Sequence, residues 1–105
     1  MFIVLIRFPP IKQGEDADFR QWFRRSNEEF AKQPGFIRRR LIRNAEWGSY
    51  AAVVEHESRD TFMAMHHSEL HAEQREAVDA LFDGEPEPDF YEVVVDSDQV
   101  GAAHG

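Results

Sequence analysis

The chain has 105 residues, 42% of them hydrophobic, and carries a formal net charge of −8 with no cysteine. That length supports one compact core and not two. The missing cysteines exclude disulfides, thiolate metal sites and cysteine nucleophiles, and the acidic balance opposes general nucleic-acid binding, which needs a basic surface to displace counterions from phosphates.

Phe2 to Phe8 reads as the first strand, with Phe2, Val4, Ile6 and Phe8 on one face and Ile3, Leu5 and Arg7 on the other. Apolar residues on both faces imply a central strand covered from two sides. The apolar start is interrupted by Arg7 and ended by Pro9-Pro10, so it reads as a strand and not as a signal peptide. No stretch approaches the ~20 apolar residues that cross a bilayer. The expectation is a cytoplasmic protein with neither membrane nor nucleic acid as partner.

A helix follows from about Asp16 to Lys32, with Glu15, Asp16 and Asp18 near its positive end. Phe19, Trp22, Phe23, Ser26 and Phe30 recur on it at helical spacing and form its core stripe. Gln33-Pro34-Gly35-Phe36 stops it: proline disfavours helical geometry in Gln33, and Gly35 supplies a strained turn without steric cost. A second strand from Phe36 to about Asn44 contains Arg38-Arg39-Arg40, whose alternation sends Arg39 to the opposite face from its neighbours. Pairing with carboxylates at a surface or interface is the expected use of these arginines.

Ala45-Glu46-Trp47-Gly48 makes a short connection to a third strand, Ser49 to Glu57, which must therefore pair antiparallel with the second. Ser58 opens a helical region reaching about Phe82, and its apolar phase slips near His67-Ser68. The slip predicts a break there, with Ser68 capping a second helical piece. Gly84 to Pro88 reads as a loop, Phe90 to Asp96 as a fourth strand apolar on both faces, and Gln99 to Gly105 as a polar, disordered tail. A single domain is placed at residues 1–97, with 98–105 as the tail.

The order βαββαβ predicts an α+β, ferredoxin-like fold: a four-stranded antiparallel sheet with helices on one side. Two helices cover only one sheet face, yet the first and fourth strands read as apolar on both. A second copy packed sheet to sheet about a two-fold axis is the expected cover, which makes the chain a homodimer.

The apolar first strand, the aromatic helix ending in Pro34-Gly35-Phe36, the strand hairpin, and Val53-Val54-Glu55-His56-Glu57-Ser58 followed by Phe62, His66, Ser68 and His71 resemble the antibiotic biosynthesis monooxygenase family of dimeric α+β barrels. The resemblance covers roughly residues 2 to 95. Members often carry a glutamate and a tryptophan at the end of the third strand, then a histidine, a serine and another histidine. Aligned without a gap on Ser58 and Ser68, the glutamate falls on Val54, the tryptophan on His56 and the two histidines on Met65 and Leu70; a one-residue insertion matches Glu55, His66 and His71 instead, and both registers stand. The layout is also similar to the haem-degrading branch, but Arg7, Met65 and Gln74 or Arg75 replace that branch's characteristic residues. The resemblance thus implies a cofactor-independent monooxygenase of a small aromatic or quinone-like substrate, with no cofactor and no metal. The alternative is a non-catalytic dimer on the same scaffold that binds a small apolar or aromatic molecule or serves structurally.

Such chemistry needs an apolar pocket, a base or a cation to stabilise an anion, and exclusion of water. The candidate residues are Arg7, His56, His66 and His71. Arg7 is the one charge in an apolar strand, expected to be less than a third exposed and either to face a cavity or to pair with Glu55 or Glu92. His56, His66, His67 and His71 cluster within sixteen residues and suit acid-base work near neutrality, with surface roles or, for His67 and His71 on a continuous helix, a metal site as alternatives. Trp47, Tyr50 and Tyr91 could line a pocket or an interface, and Trp47 is expected to dock on a partner or on its own helix.

Overall fold

A computed structural model describes residues 1–98. Strands β1 (Phe2–Arg7), β2 (Phe36–Arg43), β3 (Tyr50–His56) and β4 (Glu87–Glu92) form one sheet in the order β2-β3-β1-β4, and every pairing is antiparallel. Helices α1 (Asp16–Phe30), α2 (Arg59–His66) and α3 (Glu69–Val78) follow the ferredoxin-like arrangement, with a 3-10 turn over Asp79–Leu81 that sequence pattern did not reveal. None of the helices in the described residues is long and apolar enough to cross a membrane.

The break in the second helical region falls where the apolar phase slips. Ser58 starts α2 with a capping box, its Oγ accepting from the Thr61 N–H and its own N–H donating to Thr61 Oγ1. Ser68 starts α3 by accepting from the His71 N–H at 3.3 Å. At the first joint Gly35 adopts a φ of +80°, and an added Cβ would lie 2.4 Å from Thr61 Cβ. The turn into β2 therefore packs directly on the start of α2, and only glycine fits.

The core lies between helices and sheet. Phe2, Val4, Ala52 and Val54 from the sheet meet Phe19, Trp22, Phe23, Phe30 and Phe62 from the helices, all buried. Burial of such aromatic side chains contributes roughly 1.5–3 kcal/mol each. A register shift between Phe36 and Arg38 breaks the side-chain alternation at the start of β2. Its consequence is a change of phase: Phe36 packs with His56 on the helix side and Arg39 packs over Phe23 on that same side, while Arg38 and Arg40 lie on the open side beside Glu55.

β4 corrects the expected Phe90–Asp96. It begins at Glu87 and takes in Pro88, opposite Ile6, because an edge strand can leave a position without a ladder N–H. It ends at Glu92 because β1 starts at Phe2 and offers little beyond; the Val93 N–H bonds the Met1 carbonyl, and Val94, 82% exposed, lies past the ladder. Of the two-sided apolar pattern expected of the fourth strand, only Phe90 on the helix side and Tyr91 on the open side lie in the ladder. α1 also ends two residues early, at Phe30. The predicted disorder of Gln99 to Gly105 falls outside the described residues.

Candidate functional site

Between the helix layer and the sheet lies a cavity of about 90 Å³. Most of its wall is apolar, including Ile6 and Val54 from the sheet, Trp22 and Phe30 from α1, and Phe62 and Met65 from α2. Two histidines and two arginines interrupt that wall: His66, His71, Arg39 and Arg75. No carboxylate among the described residues lines it.

The bend between α2 and α3 creates the histidine pair. His66 ends α2 and His71 sits in the first turn of α3, and the cap at Ser68 turns the chain so that their ring centroids stand 4.4 Å apart. His66 also stacks on Phe62 at 5.6 Å, and its Nδ1 is buried without a hydrogen-bond partner among the described residues. Burial in this apolar wall pushes both imidazoles down. His71 falls to about 4, with His66, Arg75 and Arg39 adding to the effect of burial; His66 is lowered by burial and then by His67. Both are therefore neutral near neutral pH and able to accept a proton.

Arg39 completes the cluster from β2. Its guanidinium stacks over Phe23 at 3.9 Å and Phe30 at 4.7 Å, contacts that contribute about 0.5–2 kcal/mol each where water is excluded. Its Nη1 donates to Ser26 Oγ at 2.7 Å and to Asn27 Oδ1 at 2.8 Å. Burial without an ion-pair partner among the described residues lowers its pKa to about 9. Sequence reasoning treated this arginine as a surface or interface residue. The signal that could have found it is Ser26, the one small polar member of the aromatic stripe on α1, where the guanidinium enters.

The four candidates from sequence separate. His66 and His71 come together in the cavity. His56 is fully buried outside it, edge-on to Phe62, with Nδ1 3.1 Å from Thr61 Oγ1 and Nε2 without a partner among the described residues; burial lowers its pKa also, partly offset by Glu57. Arg7 stands on the opposite face of the sheet, its side chain 55% exposed, paired at 3.2 Å with both Glu87 and Asp89. Its expected shelter and its expected partners, Glu55 or Glu92, are both corrected. In the β1–β4 register Arg7 faces Glu87 while Glu92 faces Phe2, and Glu55 is held by Arg38 Nε at 2.7 Å.

Each alignment register places two of its residues at the cavity and at least one away from it. Val54, Met65, His66 and His71 all border the cavity, whereas Glu55 points to the open face and Leu70 packs at the edge of the core. His67 is exposed, and the break at Ser68 parts it from His71; among the described residues no group of three histidines or carboxylates could hold a metal ion. Tyr50 is buried and bonds Asp16 and Arg20, Tyr91 is exposed on the open face, and Trp47, 80% exposed, is not docked on its own helix.

The family model described as antibiotic biosynthesis monooxygenase matches residues 1–83. Among solved structures the chain is similar to SnoaB, a cofactor-independent oxygenase from Streptomyces nogalater, at 25% identity and a TM-score of 0.76, over 91% of this chain and 95% of that one. A conserved protein from Methanosarcina mazei (17% identity, TM-score 0.76, 88% and 92% covered) and the Rv0793 protein of Mycobacterium tuberculosis (14%, 0.77, 91% and 97%) share the fold. None of the curated proteins matches the sequence.

Proposed function

The chain belongs to the antibiotic biosynthesis monooxygenase family, and on that premise we propose that it is a cofactor-independent monooxygenase of a small aromatic or quinone-like molecule bound in the cavity between helices and sheet. The observation that carries this reading is the neutral histidine pair in an apolar wall, with His66 Nδ1 buried and without a partner among the described residues. Its similarity to SnoaB points the same way.

The chemistry follows from the cluster. A hydroxylated aromatic held against His66 and His71 gives up a proton to one of them. An imidazole lowered by burial is a weak base in the empty cavity, but a developing anion beside it restores basicity as the pair of charges forms. The electron-rich anion passes one electron to dioxygen, and the two radicals combine into a carbon-bound peroxide. The peroxide takes back the proton held by the imidazole, and loss of water, which removes the hydrogen of the attacked carbon, leaves a carbonyl there, so that one dioxygen supplies one oxygen atom to the product and one to water. The apolar wall keeps solvent protons from the anion.

The test is oxygen uptake with a panel of hydroquinones, anthrones and related phenols. One dioxygen consumed per quinone formed, with one of its oxygen atoms in the product and no hydrogen peroxide released, is the expected stoichiometry. Replacing either His66 or His71 with glutamine is expected to lower kcat by about 10²-fold, the low end for a positioned base. No turnover of any panel member, with tight binding of several, would instead favour the non-catalytic binding protein.

The reading includes a homodimer closed over the open sheet face. Ile3, Leu5 and Val53 lie on that face with Ile42 and Tyr91, the last two exposed. Contiguous apolar surface of this kind favours a partner, and self-pairing about a two-fold axis supplies one with matching charges, since both Arg7 and its acidic neighbours Glu87 and Asp89 lie on the same face.

A further inference from the structure

Arg39 is unlike the other arginines that make charged contacts. Arg7, Arg20, Arg38, Arg40 and Arg75 each lie within 4 Å of a carboxylate, in a chain with twenty acidic residues. The one driven deepest has none among the described residues, although burying an unpaired charge is costly. Its side chain lines the cavity, to which the described residues contribute positive groups and no negative one.

The hydrogen bonds of Arg39 show which part remains free. Both protein acceptors, Ser26 Oγ and Asn27 Oδ1, are bonded by Nη1. Nε and Nη2 have no acceptor among the described residues. These two nitrogens form the side-on edge of the guanidinium, two parallel N–H groups whose spacing matches the two oxygens of a carboxylate. Phe23 and Phe30 hold the plane of the group, and its Nη1 anchors hold the rotation, so the edge is oriented in advance.

We propose that Arg39 binds a carboxylate carried by the aromatic ligand, side-on through Nε and Nη2, so that the cavity selects aromatic acids over neutral aromatics. The inference rests on the reading of the cavity as the ligand site and adds a permanent anionic group to the substrate class. That group is distinct from the oxygen whose proton passes to the histidines. Arg75 also borders the cavity, but Asp79 and Glu85 already neutralise it, so it adds little attraction.

The experiment is calorimetric titration of the whole chain with benzoate and 2-naphthoate, each against its neutral amide. At neutral pH the acids are expected to bind on the order of tenfold or more tighter than the amides, the scale of a charge-assisted bidentate contact. In Arg39→Gln the preference collapses to about twofold or less, while Arg39→Lys keeps part of it through a single charge. Should either variant fail to fold, the wild-type protein labelled with ¹⁵N-arginine decides alone: the Arg39 Nε–H resonance shifts with benzoate and not with benzamide. Amides that bind as tightly as acids overturn the proposal. So does a folded Arg39→Gln that keeps the preference, or an Nε–H resonance unmoved at saturating benzoate, or a failure of both acids to bind. None of these readouts requires turnover, so the oxygenase reading stands or falls separately on oxygen uptake.

Discussion

Lowering the pH should destabilise this protein through His71, and the size of the effect follows from its burial. The imidazole falls from an ordinary 6.5 to about 4 in the folded chain. Between those values the unfolded chain binds a proton that the folded chain refuses. Stability therefore rises with pH across that window and is lost as pH falls through it. At about pH 5 the full shift corresponds to about 2 kcal/mol. The ring is partly open to solvent, and screening brings the expected value nearer ~1 kcal/mol. Urea unfolding of wild type and His71→Gln, at about pH 7 and about pH 5 with ionic strength and protein concentration fixed, isolates this contribution, because His56 and His66 act with the same sign in both proteins. Wild type should lose ~1 kcal/mol more than the variant over that interval. Equal losses would show that His71 is not desolvated, and with that the account of a neutral base in an apolar wall fails.

Other perturbations test the frame around the site. Gly35→Ala meets both an unfavourable positive φ and Thr61 at 2.4 Å, so it should cost about 2–4 kcal/mol, read as a lower urea midpoint. A variant as stable as wild type would mean that β2 and α2 do not touch at this joint. Ser68→Ala removes the cap that bonds the His71 N–H and should cost about 1 kcal/mol, with faster amide exchange confined to the first turn of α3. Protection unchanged there would detach the cap from the placement of His71. Leu5→Asp puts a charge on the open sheet face and should convert a dimer to a monomer or an aggregate in sedimentation velocity; a well-folded wild-type monomer at micromolar concentration would remove the dimer from the proposed function.

The sequence carried much of the fold because its strongest signals are local. Pro34-Gly35, the serine at 68 with its change of apolar phase, and the short Ala45–Gly48 connection each act within a few residues, and each marks a boundary in the structure. β4 was harder to place because two prolines resemble a loop and three valines resemble a strand. What set its limits was the partner: an edge position that tolerates Pro88 and a β1 that starts only at Phe2. Arg7 was misplaced for a related reason. β1 is apolar on both faces, so its pattern alone does not say which face meets the helices.

Arg39 shows the same limit in sharper form, and it governs the site. If alternation ran unbroken from Phe36, which packs on the helix side, Arg38 and Arg40 would enter the core and Arg39 would face out. The register shift before Arg38 reverses this. Arg38 and Arg40 then share Glu55 on the open side, at 2.7 and 3.5 Å, where one carboxylate meets two cations. Arg39 goes alone into the aromatic wall. A one-residue irregularity, invisible to periodicity, thus decides which of three consecutive arginines is neutralised and which is left to meet a ligand. Because β2 sends its charges to two faces, the open-face ion pairs and the cavity cation can be altered separately. A double-mutant cycle between Arg38 and Arg39 should therefore be close to additive in ligand binding, whereas one between Arg39 and His71, which share the cavity, should not.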